Sequence, residues 1–221
     1  MKKMRLFNLI SSILIMAGCF AFMFTGSIYA KSVTSALFVV MGVVNLIYVL
    51  KRGTKNKKFC IFMFIGLFFA FLGDVLLEII FIVGAGFFAL GHIFFLIAYC
   101  FISKFNWKDI LYSAIIFVPS LAIILFVPIF NFESILMQVV CVIYALVISL
   151  MVGKALGNYI KTRSKFCLVI LIGSVLFFFS DFMLLFNYFA FHHVAFGALC
   201  LTSYYSAEVF LAYSILNSKK R

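Results

Sequence analysis

Long hydrophobic segments follow one another along the chain, separated by short polar segments. Each hydrophobic segment has about the 17–25 residues that an α-helix needs to cross a bilayer. The apolar residues do not alternate with polar ones as in a lipid-facing strand, and a helix pairs its own backbone groups in lipid, so the pattern predicts helices. The predicted spans are residues 7–24, 32–50, 59–80, 83–102, 109–128, 133–152, 166–187 and 194–216. We therefore expect an all-α polytopic membrane protein whose eight transmembrane helices form a single domain over residues 1–221.

The composition excludes a soluble globular protein. Hydrophobic residues make up 67% of the chain, whereas soluble domains contain about 45–50%. The net charge of +12 comes from 18 lysines and arginines, and in the predicted topology all of them except Lys31 lie on one side of the membrane. The positive-inside rule then places both termini and the basic loops in the cytoplasm, so the charge indicates topology rather than nucleic-acid binding. We expect a multi-pass protein of the plasma membrane.

Two of the predicted helices each carry an aspartate at the same depth. Asp74 and Asp181 lie equally far from the starts of their spans, and the residues around them, 71–77 and 178–184, are similar in character. The two spans are the third and the seventh, four places apart in order, which restores the same direction across the membrane. This pattern is typical of a duplicated four-helix unit with parallel repeats.

Acidic side chains within the hydrophobic segments are the main candidates for a functional site. An ionisable group at the centre of a membrane helix costs about 2.5–3.5 kcal/mol on insertion scales, so it is retained where it faces a polar interior. Four of the six acidic residues are of this kind: Asp74, Glu78, Asp181 and Glu208.

Other polar side chains are expected to join these acids in one cavity. His92 lies on helix 4, which follows helix 3 after a short turn, so we expect it to approach Asp74 or Glu78. Helix 8 follows helix 7 in the same way and carries the expected neighbours of Asp181. These neighbours are Tyr204, Tyr205 and Glu208.

Purely structural roles remain open for several of these residues. His92 could make an interhelical hydrogen bond, and Tyr204 and Tyr205 could serve only in packing. Glu78 and Glu208 could be neutral hydrogen-bond donors or partners of a buried cation. Asp74 and Asp181 fit a different interpretation, because two carboxyl groups in one site can divide into a neutral acid and an ionised base.

Familiar motifs of other enzyme classes are absent from the sequence. It contains no G-x-S-x-G, no H-E-x-x-H and no Walker motif, and its six cysteines are scattered singly. An intramembrane aspartyl protease would have glycine at the position of Phe71, and His192 and His193 fall in a predicted loop. We expect no metal and no cofactor.

Short motifs spread over most of the chain resemble the YhhN family of lysoplasmalogenases. In the first half they are Phe71–Leu77 with Asp74, Gly86–Phe95 with His92, and Ala98 with Tyr99. In the second half they are Ser180–Leu184 with Asp181, Asn187–Phe189, and Tyr204–Glu208. The resemblance covers about residues 29–213. Ser32 stands where the family has proline, and Glu208 stands where we expect glutamine.

The resemblance implies an eight-helix enzyme that cleaves the vinyl-ether bond of lysoplasmalogens to a fatty aldehyde and glycerophosphoethanolamine or glycerophosphocholine. Protonation of the β-carbon gives an oxocarbenium ion that water traps, so one carboxylic acid and one carboxylate suffice. On this interpretation Asp74 and Asp181 are catalytic, in either order, and the lysophospholipid slides in from the bilayer. Lys31 could hold the lipid phosphate or simply anchor the helix. The candidates for substrate binding are Lys31, Glu78, His92, Asn187, Tyr204, Tyr205 and Glu208.

Two other functions fit the same acids. A small transporter could use paired intramembrane aspartates to carry protons or a cation. A non-catalytic lipid-binding or assembly protein could also contain them, but it would tolerate replacement of Asp74 by asparagine.

Overall fold

The protein is a bundle of eight long helices, and a computed structural model describes residues 1–218 of it. The helices are α1 (Lys2–Thr25), α2 (Ile28–Lys51), α3 (Lys57–Leu77), α4 (Phe81–Cys100), α5 (Trp107–Phe126), α6 (Ile135–Thr162), α7 (Lys165–Phe186) and α8 (Val194–Asn217). A π-helical turn, Asn187–Phe191, extends α7. All eight helices are long and apolar enough to cross a membrane, which confirms the predicted all-α, eight-helix fold. The basic residues 219–221 lie outside the described residues.

Polar caps and left-handed residues mark several helix boundaries. The Asn106 side chain accepts a hydrogen bond from the first turn of α5, and Asp109 bonds back to the Asn106 backbone, which forms a capping box. Ser134 and Ser164 cap α6 and α7 in the same way. Gly26 ends α1 in the left-handed conformation with φ 61°, which costs glycine little.

The largest error in the predicted boundaries concerns α6, which extends to Thr162 rather than to residue 152. Lys154, predicted to be a loop cation, therefore lies inside a helix and is fully buried. Its Nζ lies 2.9 Å from Asp109 Oδ2 and also donates to the Lys104 carbonyl oxygen at 2.9 Å. This buried pair compensates the charge, and hydropathy could not reveal it because the partners are far apart in sequence.

Close approach of α5 to α6 follows from two small residues. A Cβ added at Gly153 would meet Ser113, and one added at Gly157 would meet Asp109. The GxxxG spacing of these glycines is thus a helix-packing feature.

Helix pairing in the first half of the bundle is repeated in the second half. The most closely packed pairs are the hairpins α3–α4 and α7–α8, followed by α5–α6 and α1–α2. Contacts of α2 with α8 correspond to contacts of α6 with α4, as a duplicated unit requires. The two halves differ at the periphery, because α1 packs on both α2 and α8 whereas α5 packs mainly on α6.

The helix order brings the two intramembrane aspartates to the same end of the bundle. Asp74 lies in the last turn of α3, and Asp181 lies near the C-terminal end of α7, which runs in the same direction. Both carboxyl groups therefore lie at a similar level, and the interior between the two hairpins forms the candidate site.

Candidate functional site

A cavity of about 210 Å³ lies between the two hairpins, and both intramembrane aspartates face it. We call it the polar cavity because seven of its fourteen lining residues have polar side chains, although apolar residues cover much of its wall. Helices α1 and α2 close one side. The other polar residues that line it include Lys31, Glu78, Ser180, Asn187 and Tyr204. The structure thus brings six sequence candidates together, and it places His92, Tyr205 and Glu208 behind the cavity wall.

Asp74 is surrounded by hydrogen-bond donors. Lys31 Nζ lies 3.1 Å from Asp74 Oδ1. Asp74 Oδ2 accepts from Ser35 Oγ and from Tyr205 Oη, the latter at 3.0 Å. Asp74 is buried, and the cation and two hydroxyl groups supply the hydrogen-bond partners that a buried carboxyl group needs.

Lys31 is not the free outer-face cation that the topology suggested. It is only 2% exposed and lies between two acids, with Nζ 2.6 Å from Glu78 Oε1 in addition to the contact with Asp74. The Phe22 ring lies 5.2 Å from the same nitrogen. The sequence left open a contact with the lipid phosphate or a simple anchoring role for Lys31, because its acidic partners are far away along the chain. In the structure Lys31 neutralises two acids in the interior.

Asp181 has a different environment from Asp74. Its Oδ2 accepts from Tyr144 Oη at 2.8 Å, and His92 Nε2 lies 3.2 Å away. His92 Nε2 also lies 2.8 Å from Tyr144 Oη. Within residues 1–218 no cation other than a histidine contacts this carboxyl group, and Asp181 Oδ1 has no hydrogen-bond partner there.

The expected approach of His92 to Asp74 or Glu78 is wrong, because His92 pairs with Asp181 instead. The hairpin makes α3 and α4 neighbours, but His92 points from α4 towards α6 and α7, where it packs against the Phe177 ring at 4.6 Å. Adjacent helices therefore do not guarantee adjacent side chains. His92 Nδ1 is buried without a hydrogen-bond partner in the described residues, so the ring is held through Nε2.

The residues of α8 also depart from expectation. Tyr205, expected beside Asp181, bonds to Asp74, while Tyr204 donates to the Ala70 carbonyl oxygen at 3.3 Å and reaches the cavity wall. Glu208 is fully buried, and neither of its carboxylate oxygens has a hydrogen-bond partner within residues 1–218. It contacts no cation there, so we assign it a neutral carboxyl group.

Asn187 lines the cavity from the start of the π-helical turn. Such a turn is a common feature of functional sites, because it widens the helix by one residue. The neighbouring His192 and His193 form the connection to α8, and His193 Nδ1 accepts from the Ala195 backbone at 3.1 Å. Their predicted position in a loop is confirmed.

Sequence reasoning missed Ser35 and Tyr144, one contact of each aspartate. Ser35 follows Lys31 by one helical turn on the same face, so helical spacing could have found it. Tyr144 is a single tyrosine within an apolar span, and nothing in its local sequence indicates a contact with α7.

The structure does not group three or more His, Cys, Asp and Glu side chains at metal-binding distances in the part of the chain that it describes.

A sequence model of the YhhN family matches residues 28–215, which span the bundle from α2 to α8. No curated protein and no solved structure matches the chain.

Proposed function

The chain belongs to the YhhN family, and we propose that it is an integral-membrane hydrolase that cleaves the vinyl-ether bond of 1-alkenyl lysophospholipids. The products are a fatty aldehyde and glycerophosphoethanolamine or glycerophosphocholine. One observation carries the proposal: two aspartates with opposite surroundings face a single cavity inside the bundle. The protein would lie in the plasma membrane with both termini in the cytoplasm.

Asp74 is the carboxylate of the pair. Three donors occupy its two oxygens, and a carboxylate has about four lone-pair positions, so about one remains for water or substrate. A negative charge held in this way can stabilise the oxocarbenium ion without reorganising, which is the efficient form of electrostatic catalysis.

Asp181 is the acid of the pair. Its Oδ2 accepts from Tyr144 and from the His92 ring, whereas its Oδ1 has no partner in the described residues and is left to carry a proton. Apolar residues such as Leu184 and Phe88 flank it. A carboxyl group without a full cationic partner in such surroundings is most stable in its neutral form.

Each aspartate gives up one proton and takes up one proton in the reaction, so both return to their starting states. Asp181 gives its proton to the β-carbon of the vinyl ether, and the double-bond electrons form the new C–H bond. Water adds to the neighbouring carbon and passes a proton to Asp74, which gives a hemiacetal. As the bond from that carbon to the glycerol oxygen breaks, the hemiacetal hydroxyl returns its proton to Asp181, and Asp74 protonates the leaving oxygen.

Other candidates act by positioning these groups or by binding the substrate. Lys31 and Tyr205 hold Asp74, and His92 holds Asp181. Asn187 and Tyr204 present polar atoms at the cavity wall, where a glycerol hydroxyl would bind. Glu78, with 41% of its side chain exposed, lies where it can meet the headgroup ammonium. The substrate-binding role first assigned to Glu208 is less direct, because Glu208 does not line the cavity.

Aldehyde release by the purified protein in detergent tests the proposal. A defined 1-alkenyl lysophospholipid should yield aldehyde, whereas the matched 1-alkyl ether should be inert because protonation of a saturated carbon gives no stabilised cation. Cleavage of the 1-alkyl ether would contradict the mechanism. Absence of aldehyde from folded protein would contradict the hydrolase and favour transport, which proton flux in liposomes would then reveal.

A further inference from the structure

A second pocket of about 80 Å³ adjoins the polar cavity and is almost entirely apolar. It lies among α4, α5, α6 and α7, and Ile124, Ala145 and Ile148 contribute to its walls. The two spaces share four wall residues, which are Leu77, Phe88, Asp181 and Leu184. Asp181 therefore stands at the boundary between a polar space and an apolar one.

The apolar pocket lies between α5 and α7, two helices that do not pack closely on each other in the described residues. In the described residues α5 packs mainly on α6, whereas its counterpart α1 is held by two helices. Ser120 and Ile124 of α5 and Phe182 and Leu185 of α7 contribute to its walls. Because these two helices do not pack closely on each other, we expect the route from lipid to the pocket to pass between them.

Helix α5 has a weak point beside this pocket. Pro119 has no backbone N–H, so one helix hydrogen bond is missing immediately before Ser120. Ser120 Oγ donates to the Ile116 carbonyl oxygen at 2.9 Å, which also favours bending. A helix that packs mainly on one neighbour and lacks a central bond can move outward at low cost.

We propose that the alkenyl chain of the substrate enters from the bilayer between α5 and α7 and lies with its first carbons in the apolar pocket. This inference rests on the proposed hydrolase. The vinyl ether is then at Asp181, the glycerol and headgroup occupy the polar cavity, and the rest of the chain remains in lipid. The carbon that receives the proton belongs to the chain, so the proton donor must stand where chain and headgroup meet, and Asp181 does so.

Photo-crosslinking with an uncleavable 1-alkyl lysophospholipid tests this placement without any turnover. Two probes are compared, one with a diazirine next to the ether and one with a diazirine at the chain end. The first should label pocket residues such as Ile124 and Ile148, and the second should label lipid-facing residues of α5 and α7. Labelling of the pocket by neither probe, or by the chain-end probe alone, would overturn the proposal.

Matched alanine-to-phenylalanine variants sharpen the test. Ala145→Phe fills the pocket, while Ala122→Phe adds the same ring on the exposed face of α5. Ala145→Phe should lower near-ether labelling roughly tenfold or more, and Ala122→Phe should leave it unchanged. If Ala145→Phe fails to fold, Val140→Phe adds bulk at a half-buried position of the same wall. Equal labelling in filled and control variants would contradict the pocket.

The labelling and turnover experiments distinguish an error in the chain-binding pocket from an error in the proposed hydrolase activity. Aldehyde release together with near-ether labelling elsewhere would overturn the pocket alone. Pocket labelling that a 1-alkyl lysophospholipid does not compete away would mean that ordinary bilayer chains fill the space, which also overturns it. Pocket labelling that is competed away supports the chain site, and aldehyde release in the same preparation decides the hydrolase separately.

Discussion

Asp74 and Asp181 occupy corresponding places in the two halves of the bundle, yet their partners differ in kind. Asp74 contacts a buried lysine and two hydroxyl groups, whereas Asp181 contacts a tyrosine and a histidine. The repeated architecture thus places two carboxyl groups at one level of the bundle. The side chains of neighbouring helices give the two groups different hydrogen-bond and charge partners. This inequality decides which of the two carboxyl groups holds the proton and which is the carboxylate.

Replacing either aspartate by asparagine should have the largest effect on turnover. Asp181→Asn removes the proton donor and Asp74→Asn removes the stabilising anion, and each should lower kcat by about 10²–10⁴-fold. Aldehyde release from a 1-alkenyl lysophospholipid measures both variants, and fluorescence-detected size exclusion shows whether each is folded. Near-normal turnover in either folded variant would contradict the pairing of roles.

Replacing Lys31 should lower the free energy of unfolding, because Lys31 compensates the buried charge of Asp74. Lys31→Met leaves Asp74 as a buried, uncompensated charge, which costs about 3–5 kcal/mol. Thermal unfolding in detergent measures the loss, and the double variant Lys31→Met with Asp74→Asn should recover part of it. The matched control Glu78→Gln should destabilise far less, because the Glu78 side chain is partly exposed. An equal loss in the control would mean that Lys31 is not chiefly the partner of Asp74.

Deleting one hydroxyl beside each aspartate sharpens the comparison further. Tyr144→Phe removes one of two partners of Asp181, while Tyr205→Phe leaves Asp74 with Lys31 and Ser35. A hydrogen bond to a charged or reacting group contributes about 1.5–3 kcal/mol, so Tyr144→Phe should lower kcat by about tenfold or more. Tyr205→Phe should have a smaller effect on kcat. The reverse order would contradict the assignment of the acid.

Replacing Glu208 should have the smallest effect. Glu208→Gln substitutes one neutral polar group for another of the same size at a site outside the cavity. Turnover should stay within about twofold of wild type, since no contact of the reacting groups is removed. A large loss of kcat with an unchanged KM would place Glu208 in the proton-transfer path and enlarge the site.

The number and type of helices could be predicted because length and hydropathy determine whether a segment crosses a bilayer. The end of α6 could not, because the buried Lys154–Asp109 pair compensates a charge that hydropathy treats as a break. The acids of the site were predictable from their cost in lipid. Their partners were not, since the direction in which His92 leaves α4 depends on how α4 packs against α6 and α7.

The infrared carbonyl stretch of protonated carboxyl groups in the purified protein near neutral pH tests the central comparison most directly. Wild type should show this band from Asp181, with a further contribution from Glu208 that Glu208→Gln removes. Asp181→Asn should remove the Asp181 component, and Asp74→Asn should leave it in place. Loss of that component in Asp74→Asn and its persistence in Asp181→Asn would contradict the assignment of Asp181 as the acid and Asp74 as the carboxylate.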